Sequence, residues 1–208
     1  MQIISHRGFW KTKEEQNSKS AFERAFRYDF GIETDIRDCG GKLVISHDIP
    51  NGSEMTVDNF FLLYNSFESN VYLALNIKSD GLYKPLGQLI TQYAIKNYFV
   101  FDMSVPDSIG YCSQGMNVFT RQSEHEFVSL YHQATGVWMD SFELEWIKDS
   151  DIISHLENKK KVCVVSPELH NRSYDLVWKK YNNPILIKDP NFMVCTDYPD
   201  KFQSLIKA

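Results

Sequence analysis

The sequence has no CxxC pair and no His/Cys spacing of the kind that holds zinc. Its four cysteines, Cys39, Cys112, Cys163 and Cys195, stand singly. Two lie inside apolar runs, "KVCVV" and "MVCTD", and read as buried reduced thiols. There is no GxGxxG and no GxxxxGK[ST], the glycine loops that cradle phosphates in nucleotide-binding folds. No apolar stretch reaches the roughly 20 residues needed to span a bilayer. Basic charge is not in excess: 22 Lys and Arg stand against 27 Asp and Glu, a net charge of −5. That excludes a general nucleic-acid binder, which carries a basic face, and a polybasic membrane anchor. No Pro/Gly/Ser-rich linker or charge block divides the chain. The first apolar run starts at about residue 2, which leaves no room for a signal peptide. These absences predict one domain over residues 1–208 in a reducing, cytoplasmic setting, without nucleic-acid partners or stable membrane insertion. They say nothing of oligomeric state.

What is present is alternation. "QIIS" reads as a strand. "SKSAFERAFRYDF" reads as a helix, with Ala21, Phe22, Ala25 and Phe26 on one stripe. "GIETDIR" and a short "KLVIS" follow, then a helix in "TVDNFFLLYN" and a strand in "VYLALNIK". "LYKPLGQLITQYAIK" is helical, with Pro85 in its first turn. "YFVFDMS" is a strand, "VPDSIGYCS" a short helix and "MNVFTR" a strand. "SEHEFVSLYHQA" is predicted as a helix with Ser123 as cap. "GVWMDSF", "KVCVVSP" and "FMVCTD" are strands, separated by helices in "DSDIISHLENKK" and "SYDLVWKKY". "PDKFQSLIKA" closes as a helix. About eight β/α units in succession mean a parallel sheet covered by helices. They suit a compact (β/α)8 TIM barrel, with an open doubly wound sheet as the alternative.

Strands of such a barrel are packed on both faces, so ionisable residues inside them stand out. In "GIETDIR", Glu33 and Asp35 are two apart and share a face. In "ALNIKSD", Asn76 and Lys78 repeat the device. If these strands are parallel neighbours, two carboxylates and an amide oxygen form a hard site that suits Mg²⁺ or Ca²⁺. The alternative is a salt bridge from Glu33 to Arg7 or Lys78. His6 and Arg7 end the first strand, His47 and Asp48 follow "KLVIS", and Lys78 ends its own strand. Barrel active sites are built from such C-terminal strand ends. Asp102, Arg121, Asp140, Glu168 and Asp197 continue the pattern more weakly. His125, His132, His155 and His170 read as surface or packing residues.

Two histidines, an arginine, a lysine and a divalent cation suit the cleavage of a phosphodiester. Arg7 can grip phosphoryl oxygens with its forked guanidinium. One histidine takes a proton from the nucleophile and the other gives one to the leaving alkoxide.

"ISHRG", Asn17 before the "AFERA" helix, "GIETDIRDCGGKLVISHD" and "LNIK" together resemble the glycerophosphodiester phosphodiesterase family. The likeness is strongest over residues 3–48, returns at 73–78, and touches the closing "CTDYPDKF". The resemblance implies that His6 and His47 form the acid/base pair and that Arg7 and Lys78 bind phosphate. It implies that Glu33 and Asp35 bind the metal, with Asn76 at a third ligand position. It also implies a small-molecule diester whose alcohol has a neighbouring hydroxyl.

There are departures. The family usually has a glutamate where Asn76 stands, and the loss of that charge weakens the metal site unless Glu168 or Asp102 moves in. Gln16-Asn17-Ser18 replaces Glu-Asn-Thr. Gly40-Gly41 replaces Asp-Gly. Only "IPNGSEM" follows His47-Asp48, where many relatives insert a cap, so the mouth is expected to be open. Phe9 and Trp10 either form an apolar or sugar-stacking wall there or pack the loop. A hydrolase is the first expectation. A phosphate-binding protein on the same barrel and a lyase-type phosphodiesterase leaving a cyclic phosphate are the alternatives.

Overall fold

A computed structural model describes residues 1–207; Ala208, the last residue of the expected closing helix, lies outside the described residues. The first apolar run is β1 (Gln2–His6). Ser18 accepts a hydrogen bond from the Ala21 amide and so caps α1 (Lys19–Arg27), whose stripe of Ala21, Phe22, Ala25 and Phe26 is buried. β2 (Gly31–Cys39) turns through Gly40 and Gly41, both at positive φ, into β3 (Lys42–Ile45). Two successive positive φ values make the tight hairpin turn that glycine adopts without strain. α2 (Val57–Ser66), capped by Thr56, leads to β4 (Leu73–Ile77), α3 (Tyr83–Gln92) and β5 (Tyr98–Phe101). α4 (Val105–Ser113), β6 (Phe119–Gln122), β7 (Gly136–Met139), α5 (Asp149–Glu157) and β8 (Lys161–Val165) follow. α6 (Asp175–Tyr181), α7 (Pro184–Lys188), β9 (Phe192–Thr196) and α8 (Pro199–Lys207) complete the chain.

The strands run β5-β4-β2-β1-β9-β8-β7-β6, with β3 paired antiparallel to β2 outside that path. The eight strands on the path are parallel. The two ends meet where the Val100 amide donates to the Asn117 carbonyl at 2.8 Å, beside a parallel bridge between Val100 and Val118. The result is the expected (β/α)8 TIM barrel, nearly closed. Its seam is reinforced by Phe99 of β5 stacked on Phe119 of β6, ring centres 3.8 Å apart.

The predicted helix over residues 123–134 does not form. Ser123 does not cap a helix; its hydroxyl accepts from the His125 amide, and its backbone pairs with Glu126. Thr120 Oγ1 accepts from the Ser129 amide, and Leu130 sits at φ +50°. Local side-chain bonds of this kind compete with the i→i−4 ladder. Phe127, within the expected helix, is 93% exposed. β6 thus connects to β7 by a loop, while β8 and β9 are separated by two helices.

Two apolar layers result. One lies between barrel and helices. The other fills the barrel's lumen with Ile4, Phe99, Phe101, Phe119, Trp138 and Met193, beside Cys163 and Cys195. Stacked Phe101 and Trp138, 3.9 Å apart, are its upper surface. Everything polar in the next subsection stands on them. Among the described residues, no helix is long and apolar enough to cross a membrane.

Candidate active site

Strand register places the first residues. His6 on β1 is level with Glu33 on β2, and Asp35 two positions on is level with Asn76 on β4. The alternate residues Ile32 and Ile36 pack outward under the helices, so Glu33 and Asp35 face inward. Both carboxylates are buried, each only 1% exposed.

The chain leaves β1 through two left-handed residues, Arg7 (φ +55°) and Gly8 (φ +85°). A Cβ on Gly8 would stand 2.9 Å from the Ala21 Cβ, so glycine alone lets this turn lie against α1. The turn aims the Arg7 amide at Glu33 Oε2 (3.2 Å). It sends Nη1 to Gln16 Oε1 (3.2 Å) and Nε to within 3.3 Å of Asp35 Oδ2. Asn17 donates from Nδ2 to Asp35 Oδ2 (2.8 Å) and accepts from the Thr34 hydroxyl (2.8 Å), which fixes the Asp35 carboxylate. Lys78 Nζ lies 3.4 Å from Asp35 Oδ1 and 3.8 Å from Asp102 Oδ2. Arg7 and Lys78 therefore pair with Asp35, while Glu33 has a backbone N–H from Arg7 and the His6 ring beside it.

Glu33 shows the consequence. Burial and the neighbouring Asp35 charge push its carboxyl up to about 7, against the pull of His6, Lys78 and Arg7. His6 Nδ1 meets Asp197 Oδ1 at 2.7 Å, and Nε2 lies 3.8 Å from Glu33 Oε2. Burial works against charge on that ring, but the Asp197 hydrogen bond and the Glu33 and Asp197 charges outweigh it and raise its pKa above 6.5.

His47 arrives differently. β3 folds back along β2, and the Ser46 amide donates to the Asp35 carbonyl at 3.0 Å. The hairpin thus delivers His47 to the mouth without using a barrel strand end. Its Nδ1 is 2.8 Å from Asp48 Oδ1, its carbonyl accepts from Arg37 Nε, and its side chain is 46% exposed. The connection from His47 to α2 has no helix or strand of its own.

His6, Arg7, Glu33, Asp35, His47, Asn76 and Lys78 line one pocket of ≈ 310 Å³ over the Phe101–Trp138 floor. Cavities of ≈ 360 and ≈ 770 Å³ lie near the start of β1 and along α3. Neither is lined by a histidine or a pair of carboxylates, so chemistry rather than size selects the site. Asp102, Arg121 and Asp140 line the same pocket. Glu168 does not; it is held by the Ser166 and Thr196 hydroxyls and the Asp197 amide, beneath the His6–Asp197 pair.

Four residues around the mouth find their place only in space. His170 is no surface histidine: it lines the pocket, with Nε2 2.7 Å from Asp140 Oδ1. Phe142 lines it as well and packs on His170, ring centres 4.8 Å apart. Phe9 packs edge-on against Tyr28 and Phe30, and the Trp10 indole N–H donates to the His6 carbonyl. Phe9 and Trp10 border a separate cavity beside Tyr198, so they are packing residues and not a wall of the mouth.

The oxygens of Glu33, Asp35 and Asn76 fit a hard divalent cation. Asn76 Oδ1 is buried without a hydrogen-bond partner, a cost that a ligand removes. Glu33 and Asp35 place two carboxylates side by side where a cation relieves their repulsion. Among the described residues no group of three His, Cys, Asp or Glu side chains is placed to hold a metal ion; the candidate set is two carboxylates and one amide.

No family model and no curated protein matches the sequence. Solved structures do. The putative glycerophosphodiester phosphodiesterase from Galdieria sulphuraria is 18% identical, with a TM-score of 0.77 over 100% of this chain and 98% of that one. A phosphodiesterase from Oleispira antarctica, solved with the product sn-glycerol-3-phosphate, is 15% identical at a TM-score of 0.70, over 100% and 97% of the two chains. A Ca²⁺-dependent phosphatidylinositol-specific phospholipase C from Streptomyces antibioticus is 10% identical at 0.62, over 99% and 95%. Along its whole length, the chain has the fold of the glycerophosphodiester phosphodiesterases and of this phospholipase C.

Proposed function

We propose that the protein is a metal-dependent phosphoric diester hydrolase that cleaves glycerophosphodiesters to a phosphomonoester and an alcohol. The observation that carries this is the gathering of His6, Arg7, Glu33, Asp35, His47, Asn76 and Lys78 around one pocket from four separate segments. The fold shared with glycerophosphodiester phosphodiesterases, one of them holding glycerol 3-phosphate, supports it. Mg²⁺ or Ca²⁺ held by Glu33, Asp35 and Asn76 would neutralise charge building on the phosphoryl group.

The protein's own groups do the rest. Arg7 and Lys78 lie beside Asp35 and supply the positive charge that draws a phosphodiester into the pocket. Asp197 accepts a hydrogen bond from the Nδ1–H of His6, which orients the ring and leaves Nε2 for proton exchange. The raised pKa of His6 suits it to the acid role, protonating the departing alkoxide. His47, outside the buried carboxylate pair, is the base that accepts a proton from the attacking water. The single cysteines in apolar runs support a cytoplasmic setting.

The test is release of glycerol 3-phosphate from glycerophosphodiesters in the presence of Mg²⁺ or Ca²⁺. Chelation should abolish it, and His47→Ala should lower kcat/KM by roughly 10²-fold or more. Turnover unchanged by chelator overturns the metal role. Equal turnover in His47→Ala overturns the base. Tight phosphate binding without turnover of any diester identifies a binding protein instead.

A further inference from the structure

The catalytic set occupies one side of the pocket, on β1, β2 and β4. The opposite side, at the ends of β6, β7 and β8, carries groups that this chemistry does not use: Arg121, Asp140, Phe142 and His170. Resting on the phosphodiesterase reading, we propose that this far wall is the subsite for the departing alcohol, and that it selects a polyol with vicinal hydroxyls.

The wall is built and not incidental. Asp140 is buried, 6% exposed, and accepts through Oδ1 from the Ser141 amide (2.8 Å) beside His170 Nε2 (2.7 Å). Among the described residues its Oδ2 has no hydrogen-bond partner, nor has His170 Nδ1. The loop that follows is fixed from several directions. Trp146 Nε1 donates to the Asp140 carbonyl (2.7 Å) and Arg172 Nη1 to the Ser141 carbonyl (2.6 Å). Glu124 accepts from the amides of Phe142, Glu143 and Leu144 at 3.2, 2.6 and 3.2 Å. Phe142 is thereby held beside both His170 and the Arg121 guanidinium, which is 5.8 Å from its ring centre.

The composition of the wall names the ligand class. A carboxylate oxygen accepts from a hydroxyl, and an imidazole nitrogen serves the adjacent one. The Phe142 ring covers the C–H face that a polyol presents between its hydroxyls. Choline, whose one hydroxyl is the esterified oxygen, offers no hydrogen bond to Asp140 Oδ2 or His170 Nδ1. Arg121 itself is committed, with Nη1 2.6 Å from Asp102 Oδ1 and Nε 2.6 Å from Glu126 Oε2. Its charge is thereby offset by two carboxylates, and the choice of alcohol rests on Asp140, His170 and Phe142. A hydrocarbon alcohol would leave Asp140 Oδ2 and His170 Nδ1 desolvated and unpaired, and sites that hydrogen-bond a hydroxyl reject such analogues strongly.

The experiment compares kcat/KM for glycerophosphoglycerol and glycerophosphoinositol with that for glycerophosphocholine. The wild-type protein should favour the polyol diesters by roughly tenfold or more, and His170→Ala should bring that ratio toward one. Phe142→Ala, which leaves the Asp140–His170 pair in place, should lower it as well, with folding of both variants checked by circular dichroism. Equal rates on all three diesters, or a ratio unmoved in both variants, overturns the subsite while leaving the phosphodiesterase reading intact. If no diester is cleaved, that reading falls, and saturation-transfer NMR still decides the subsite. Inositol 1-phosphate should then bind in preference to phosphocholine, and lose that preference in His170→Ala. Absence of that preference overturns the proposal.

Discussion

The two walls of the pocket are made in opposite ways. On the β1–β4 side the core of the set is strand residues placed by register, His6 level with Glu33 and Asp35 level with Asn76, with Arg7, His47 and Lys78 just past the strand ends. On the β6–β8 side the groups come from strand ends and loops: Arg121 on β6, Asp140 and Phe142 beyond β7, and His170 in a short 3-10 turn after β8. Strand positions are fixed by ladders that the whole barrel supports. Loop positions are fixed by side chains such as Glu124 and Arg172, which are private to that wall. The first arrangement suits groups whose separation governs a reaction. The second suits recognition, where loops change without disturbing the barrel. A chain of charges crosses between them, from Lys78 through Asp102 to Arg121.

If the division is real, the largest losses belong to the first wall. His6→Ala should lower kcat/KM by roughly 10²- to 10⁴-fold on every diester, whatever the alcohol. His170→Ala should act mainly on the choice of alcohol. Steady-state kinetics of the two variants on the same three diesters would break the comparison if their losses were equal and equally independent of substrate.

A smaller effect sharpens the chemistry of the first wall. Asn76 has a buried, unpartnered Oδ1 level with Asp35. Asn76→Glu should restore a third carboxylate and tighten Mg²⁺ or Ca²⁺ binding by about tenfold, as added ligand charge does. Isothermal titration measures it directly. Weaker binding in the variant would mean that Asn76 is not at a ligand position.

The same contrast explains what the sequence revealed. Glu33, Asp35, Asn76 and Lys78 were visible because charge inside an otherwise apolar strand conflicts with the strand's own packing. His6 and Arg7 were visible because they end a strand and match a known pattern. The β/α order was legible from periodicity, so the barrel was too. The far wall obeys no period. Phe142 and His170 come together only after β7 and β8 pair, and nothing local to "SPELHN" distinguishes a pocket histidine from a surface one. The expected helix over 123–134 failed for a related reason. Its apolar spacing was helical, but Thr120, Ser123 and Glu126 are bound by partners that periodicity does not register. The antiparallel β3 was read as a strand, yet its direction depends on the Gly40-Gly41 turn.

The smallest effect tests the loop-built wall alone. Glu124 does not line the pocket, and its carboxylate ties the loop of residues 142–144 to the end of β6. Burial opposes its charge, but the amides of Glu143, Glu124, Leu144 and Phe142 prevail and hold it down to about 2. Its folded pKa is thus below the ordinary value of 4.5, so the ionised form stabilises the fold. That contribution is fully present above about pH 4.5 and is lost as pH falls toward 2. Glu124→Gln removes the charge at every pH. Wild type and variant should therefore differ near neutral pH by about 1 kcal/mol in urea unfolding, as charged hydrogen bonds at a partly exposed site do. The difference should shrink between about pH 4.5 and pH 2. Polyol preference at neutral pH should fall in the variant, while the metal affinity of the first wall stays as it was. A stability difference that does not depend on pH would show that Glu124 acts by packing. A loss of metal binding would show that the two walls are one cooperative unit, and the contrast between them would not hold.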